Sequence, residues 1–279
     1  MISDLHLHTR LSRDATQIPE NDVHGYVNTA IQKNLKYIAI TEHKDIYEEN
    51  AINADLEECA KLVNEEKNRI AENSLPVTLI HGVELAHAHE MPAEATEVIA
   101  SHSYDFILGS FHRLIDKSDF SRFVYSEIPE DELIIDFERY LENIYQVAVV
   151  ADFDSFAHCT YPLRYYLRNN KLVELCKEPS KYVPKNAPHY EDIFKTLIQR
   201  GKALEINTSG IKFGEVTLPT YDLMKLYRKL GGELVTIGSD SHDTKHLGTG
   251  VDLAEEMLKE LGFPGVTVFI NSKEKVISF

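Results

Sequence analysis

The sequence predicts an α/β fold, a barrel of seven parallel strands, on three observations. Short apolar runs alternate with amphipathic helical patterns along the chain, and most of these runs lack the polar alternation of half-exposed strands. Such runs are typical of strands buried on both faces, and seven of them favour a barrel over an open sheet. Histidines and carboxylates follow the runs, at the end where barrel enzymes carry their active sites.

The predicted elements follow one another in a regular order. The predicted strands cover residues 2–7, 37–41, 77–83, 106–109, 147–153, 203–207 and 234–238. The clearest helical patterns cover residues 50–73, 190–199, 219–230 and 251–261. Gly231 and Gly262 follow the last two patterns and are typical helix stop signals.

Two segments do not fit this repeat. Residues 114–143 are acidic and aromatic, and residues 160–188 combine tyrosines, arginines and prolines. Each follows a strand-end histidine, so we expect insertions in βα loops that form a lid or a substrate pocket. The remaining sequence contains no linker, which predicts one domain over residues 1–279.

Composition excludes several kinds of partner. The chain carries 29 Lys+Arg against 45 Asp+Glu, a net charge of −16, which argues against nucleic acid as a ligand. It has no apolar stretch of about 18 residues and no hydrophobic signal segment, which argues against a membrane. Three irregularly spaced cysteines favour reduced thiols, and we therefore expect a cytoplasmic protein. The oligomeric state is not predicted.

Metal-ligand side chains recur at the ends of the predicted strands. They are His6 and His8 in the first strand, His43 after the second, Glu84 at the end of the third, His112 and His158 after the fourth and fifth, and Asp240 and His242 after the seventh. Any one of them could be a helix cap or a satisfied strand histidine. Because strand ends converge on one face of a barrel, the whole series predicts a site for Zn, Mn or Fe.

The motifs DLHLHT, LSRDA, ITEH, GVE, GSFH, FAH and GSDSH, in this order, resemble the polymerase-and-histidinol-phosphatase (PHP) family of metallohydrolases. The resemblance covers residues 3–242 and implies a distorted (β/α)7 barrel that holds up to three divalent ions (Zn, Mn or Fe). It also implies the ligand sets. These are His6, His8, Glu84 and Asp240 for one ion, Glu84, His112 and His158 for a second, and Asp14, His43 and His242 for a third. Some family members have histidine at the position of Asp14.

Two further stretches, FDSFAHCTYPLRYY and EINTSGIK, resemble the histidinol-phosphate phosphatase branch of the family. That branch often has Asp at the position of Thr160, so the contacts to the leaving group are the open part of the likeness. The resemblance implies a metal-dependent phosphomonoesterase that converts L-histidinol phosphate to L-histidinol and phosphate in histidine biosynthesis.

The expected mechanism uses a hydroxide that bridges the ions joined by Glu84 and attacks phosphorus in line. Glu84, Asp240 and His242 are the expected catalytic residues, and Arg164 and Lys212 are candidates for binding phosphate oxygens. Ser209 and Asn207 are candidates for lining the pocket, although a turn would also explain both.

The sequence leaves three other functions open. The first is a PHP phosphoesterase for another small ester, such as a nucleotide or a sugar phosphate. The second is an amidohydrolase-type C–N hydrolase, although those enzymes commonly use a strand-end lysine where this chain has Glu84. The third is a catalytically silent PHP module.

His87 and His89 repeat the His-x-His spacing and are expected in a solvated loop.

Overall fold

The computed structural model describes residues 2–46, 53–213 and 216–279, with the backbone alone for Lys212. The strands of the main sheet are all parallel, and neighbouring strands follow one another in the order of the chain. The first and last meet, because Leu7 forms a parallel bridge with Ser241 and the Leu5 amide donates to the Ile237 carbonyl at 2.8 Å. The sheet is therefore a nearly closed barrel, and the predicted α/β fold is confirmed.

The strands are β1 Ser3–Asp4, β2 Tyr37–Asp45, β3 Thr78–Ala86, β4 Phe106–Ser110, β5 Ser155–Phe156, β6 Ala203–Asn207 and β7 Val235–Gly238, followed by an antiparallel hairpin of β8 Gly265–Ile270 and β9 Lys273–Ser278. The α-helices are α1 Val23–Gln32, α2 Leu56–Glu72, α3 Pro92–Ser101, α4 Glu130–Val150, α5 Tyr161–Arg168, α6 Val173–Lys177, α7 Tyr190–Gln199, α8 Tyr221–Lys229 and α9 Val251–Glu260. No helix in the described ranges is long and apolar enough to cross a membrane.

The C-terminal hairpin closes the barrel at the end where the strands begin. Phe269 of β8 stacks on Phe106 at the start of β4, with ring centroids 5.4 Å apart. Asp105, the residue before β4, accepts a hydrogen bond from the Asn271 amide at 3.0 Å. The hairpin therefore leaves the opposite face, where the strands end, open to solvent.

The predicted fifth strand, residues 147–153, is wrong. Val147 and Ala148 are buried in the last turn of α4, and the strand is Ser155–Phe156 instead. Packing of the long apolar face of α4 overrides the preference of a valine-rich stretch for a strand. Consequently the part of the predicted insertion 114–143 that follows Pro129 belongs to α4, which packs against α7.

Candidate metal centre

The strand ends bring the predicted ligands to the open face of the barrel. His43 and Glu84 are direct partners in the register of β2 and β3. His6 and His8 flank Leu7, the residue that closes the barrel, so alternation points both imidazoles to the same side. The remaining ligands follow β4, β5 and β7 by two to four residues, and Asp14 comes from the loop between β1 and α1.

Glu84 lies at the centre of this cluster and is fully buried. Its Oε1 lies 2.8 Å from His158 Nε2 and 3.1 Å from His112 Nε2. Its Oε2 faces other imidazoles, at 2.7 Å from His43 Nδ1 and 3.4 Å from His6 Nε2. The two oxygens of one carboxylate thus point to different sets of histidines, which is the arrangement a bridging ligand requires.

Two further carboxylates complete the cluster. Asp240 Oδ1 lies 3.3 Å from His8 Nε2 and 3.7 Å from His6 Nε2. Asp14 Oδ2 lies 3.1 Å from His242 Nε2 and 3.4 Å from His43 Nε2. All nine side chains that the sequence predicted as ligands therefore occupy one site.

The structure groups these ligands differently from the sets that the resemblance implies. Three groups have ligand atoms that all lie within 4.8 Å of one another, namely His6, His8 and Asp240, then His6, Glu84 and His158, and finally His8, His43 and His242. His6 and His8 each belong to two groups. The implied sets assign each of them to one ion, so the division of the nine ligands among the ions stays a prediction.

The donor atoms fit divalent metal ions. His6 Nε2 and both ring nitrogens of His8 are buried without a hydrogen-bond partner. His43 Nδ1, although 2.7 Å from Glu84 Oε2, also lacks hydrogen-bond geometry. Buried polar atoms are rarely left unsatisfied, and imidazole nitrogens beside carboxylates are the ligands that Zn, Mn and Fe prefer. The residues present therefore suit such ions.

The same contacts shift the pKa values of the site. Burial alone would raise the pKa of Glu84, but the imidazoles of His43, His112 and His6 outweigh it and hold that pKa well below its usual range. Burial opposes the charged form of His43, yet Glu84 and Asp14 raise its pKa to about 10. A protonated imidazole cannot bind a metal ion, so ions that enter this site displace protons.

A second layer of carboxylates, which the sequence analysis did not identify, orients the histidines. Glu205 of β6 is buried and its Oε1 accepts a hydrogen bond from His6 Nδ1 at 2.7 Å. Its Oε2 accepts from the His158 amide at 2.8 Å. Because a carboxylate only accepts, Nδ1 of His6 carries a proton, and Nε2 is the nitrogen left to bind a metal ion once its own proton is displaced. Asp45 similarly lies 3.4 Å from His112 Nδ1.

A cavity of about 290 Å³ opens beside this cluster. Six of the predicted ligands line it, and Tyr161, Arg164 and Tyr165 of α5 form part of the facing wall. Arg164 Nη1 donates to Ser209 Oγ at 2.8 Å, and Ser209 Oγ donates to Asn207 Oδ1 at 2.6 Å. Arg164 thus reaches the cavity, whereas Ser209 and Asn207 lie behind it. The side chain of Lys212 is outside the described residues.

The prediction that His87 lies in a solvated loop is wrong, because His87 is buried. It is 1% exposed, packs against Phe111 at a centroid distance of 4.7 Å and lies 6.4 Å from the His112 ring. It therefore packs behind a predicted ligand. His89 is half-buried and its Nε2 lies 3.0 Å from Asn143 Oδ1.

Comparison with known proteins extends these observations. The family model described as PHP domain matches residues 4–209. The "Histidinol-phosphatase" of Lactococcus lactis is 27% identical over 277 residues, which is 97% of this chain and 95% of the relative. The "Probable histidinol-phosphatase" of Thermotoga maritima is 28% identical over 267 residues, which is 95% of this chain and 94% of the relative.

Among solved structures, the histidinol phosphate phosphatase of Lactococcus lactis in complex with zinc, L-histidinol and phosphate has a similar fold. Its TM-score is 0.73 at 24% identity, with 98% of each chain covered. The family match spans well over half of the chain, including seven of the nine predicted ligands and the strands β2 to β6 of the barrel. The chain therefore belongs to the PHP domain family.

Proposed function

We propose that this protein is a metal-dependent phosphatase that hydrolyses L-histidinol phosphate to L-histidinol and phosphate. The observation that carries the proposal is Glu84, a buried carboxylate whose two oxygens face different histidines beside an open cavity. Relatives named as histidinol-phosphatases match nearly the whole chain and support the choice of substrate.

The nine clustered side chains would hold up to three divalent ions. When bound, such ions neutralise phosphoryl oxygens and lower the pKa of an attacking water. Glu84 fixes the spacing of the histidines on either side of it, and Glu205 holds His6 with its Nε2 toward the site. Asp240 and His242 line the cavity, which would place them beside a substrate bound there.

Arg164 is placed to bind the phosphate. It is largely buried, lines the cavity and lies over the Tyr165 ring, with its guanidinium carbon 5.1 Å from the centroid. Ser209 restrains the guanidinium through one hydrogen bond, and Asn207 restrains Ser209. A planar guanidinium held in this way can give two parallel hydrogen bonds to phosphate oxygens.

The cavity and the composition of the chain support a small substrate and a location in the cytoplasm. The cavity suits a small molecule, and a net charge of −16 disfavours nucleic acid as a ligand. Three buried free cysteines support a reducing compartment, and we infer the cytoplasm.

A substrate panel tests this function. Protein reconstituted with Zn, Mn or Fe is assayed for phosphate release from L-histidinol phosphate, AMP and glucose 6-phosphate. We expect kcat/KM for L-histidinol phosphate to exceed the other two by on the order of 100-fold or more. A Glu84→Gln preparation controls for contaminating phosphatases. Similar turnover of all three esters would remove the assigned substrate, and no release from any would remove the phosphatase assignment.

A further inference from the structure

A carboxylate outside the metal cluster lines the same cavity. Asp119 is half-buried on the loop between β4 and α4, and it borders the cavity together with Tyr161 and Arg164. It belongs neither to the nine predicted ligands nor to the predicted phosphate contacts. A negative charge beside a site for a dianionic phosphate would repel that phosphate, so we do not expect Asp119 to bind the phosphate itself.

The backbone fixes Asp119 close to the metal cluster. Asp119 forms an antiparallel bridge with Arg113, and the amide of the next residue, Phe120, donates to the His112 carbonyl at 3.4 Å. The loop after β4 therefore folds back onto the end of its own strand. As a result Asp119 is held beside His112, one of the predicted ligands.

Two uncharged groups orient the Asp119 side chain. Its Oδ1 accepts hydrogen bonds from the Ser121 amide at 2.6 Å and from the Tyr161 hydroxyl at 3.1 Å. The Tyr161 hydroxyl in turn accepts from Tyr165 at 3.1 Å. The Ser121 contact alone would be an ordinary cap of the short 3-10 helix Phe120–Arg122. The tyrosine contacts come from α5, across the cavity wall, and go beyond such a cap.

The Tyr161 side chain lies between Asp119 and the metal cluster. The ring centroid lies 5.2 Å from that of His158 and 5.4 Å from that of His112, and its hydroxyl reaches Asp119. The carboxylate is thus about one tyrosine side chain away from two predicted ligands. Arg164 and the ions that the cluster would hold make one part of the cavity wall cationic, and Asp119 lines the wall beyond Tyr161, as does the exposed Arg122 at the end of the same short helix.

We propose that Asp119 binds a primary ammonium group of the substrate, so that the pocket selects phosphate monoesters of amino alcohols. The inference rests on the proposed function and names the group that distinguishes the substrate. L-Histidinol phosphate carries an ammonium on the carbon next to its ester CH2 group, whereas glucose 6-phosphate and AMP carry no ammonium. An ammonium donates charge-assisted hydrogen bonds to a carboxylate, and the tyrosine rings beside it favour a cation.

The test compares one charged substrate with its neutral derivative. Wild type, Asp119→Asn and Asp116→Asn, each loaded with metal, are assayed with L-histidinol phosphate, N-acetyl-L-histidinol phosphate and p-nitrophenyl phosphate. Asparagine keeps an oxygen that accepts from Ser121 and Tyr161 but removes the charge. Asp116 is the matched control, because it is an exposed carboxylate on the same loop that pairs with Arg139 at 2.5 Å.

We expect Asp119→Asn to lower kcat/KM for L-histidinol phosphate by about 10- to 100-fold, the usual effect of losing a charged hydrogen bond. The two substrates without an ammonium should change less than about twofold, with metal content equal to wild type. The Asp116→Asn variant should match wild type on all three. An equal loss on all three substrates would assign Asp119 a structural role and overturn the proposal, as would an unchanged preference for the amine.

A second pair of esters separates this proposal from the proposed function. If wild type does not hydrolyse L-histidinol phosphate, O-phosphoethanolamine and ethyl phosphate are compared instead. A preference for the amine that Asp119→Asn abolishes would keep the role of Asp119 and reject only the assigned substrate. Equal hydrolysis of these two esters by wild type would overturn the role of Asp119.

Discussion

Replacing Glu205 by glutamine tests how the second layer supports the metal cluster. One oxygen of Glu205 accepts from His6 Nδ1 at 2.7 Å, and the other accepts from the His158 amide at 2.8 Å and from Asn207 Nδ2 at 3.3 Å. Both oxygens therefore act as acceptors. Glutamine has one acceptor and one donor, so either orientation of its amide places a donor against a donor.

These contacts set the loss of stability and of metal affinity that we expect for Glu205→Gln. A buried donor left without its acceptor costs about 1–3 kcal/mol in stability. Loss of a carboxylate that orients a metal-binding histidine typically weakens metal affinity by about 10- to 100-fold. We expect Glu205→Gln to show both effects, because the same contacts orient His6 and the backbone of His158.

The assay is competition between metal-free protein and a chromophoric chelator for Zn, together with thermal unfolding. Asp105→Asn is the matched control. Asp105 is also a buried carboxylate that accepts backbone amides, from His81 and Asn271 at 3.0 Å each, but it lies at the hairpin end of the barrel. The control should lose stability and keep its metal affinity. Metal affinity of Glu205→Gln within about twofold of wild type would refute the assigned role of Glu205.

Three other predictions concern single features of the site. Arg164→Ala should lower kcat/KM by about 10- to 100-fold with metal content intact, and unchanged kinetics would remove Arg164 from the phosphate site. A Cβ at Gly238 would overlap His6 Cβ and Glu205 Oε1. Gly238→Ala should therefore lose about 1–3 kcal/mol of stability and bind Zn more weakly than wild type. Zn affinity equal to that of wild type would contradict this packing. The pKa of His43 is raised to about 10, so below that pH an ion must displace the proton of this imidazole. The Kd for Zn should therefore fall as pH rises from 6 to 8, by up to about tenfold per pH unit for each proton displaced. A Kd that does not change with pH would contradict this.

Features that depend on the local period of the chain could be predicted from the sequence. The strand Ala203–Asn207 has the predicted bounds, and the alternation of His6 and His8 places both side chains on the same side of the chain. Eight of the nine predicted ligands come together because they lie at or follow the ends of parallel strands, which converge in any barrel. The ninth, Asp14, lies in the loop between β1 and α1 and was predicted by the family resemblance. Their assignment to particular ions depends on side-chain rotamers and could not be read from the sequence.

Features that depend on distant contacts could not be predicted in this way. Val147 lies in a valine-rich stretch that favours a strand, but it is held in α4 by packing against residues far along the chain. Glu205 acts through His6, 199 positions away, and Asp119 reaches the cavity only because its loop folds back onto β4. A sequence signal for Glu205 did exist, since a lone carboxylate inside an apolar, doubly buried strand is rare unless it is paired.

The dependence of phosphate release on bound metal decides whether the cluster around Glu84 is a catalytic metal centre. Protein stripped by a chelator is titrated with Zn, Mn or Fe, and the hydrolysis of L-histidinol phosphate is measured against the number of ions bound per chain. We expect negligible release from the metal-free protein and activity that rises with occupancy of the cluster around Glu84. Release by the metal-free protein at the rate of the reconstituted protein would contradict this expectation.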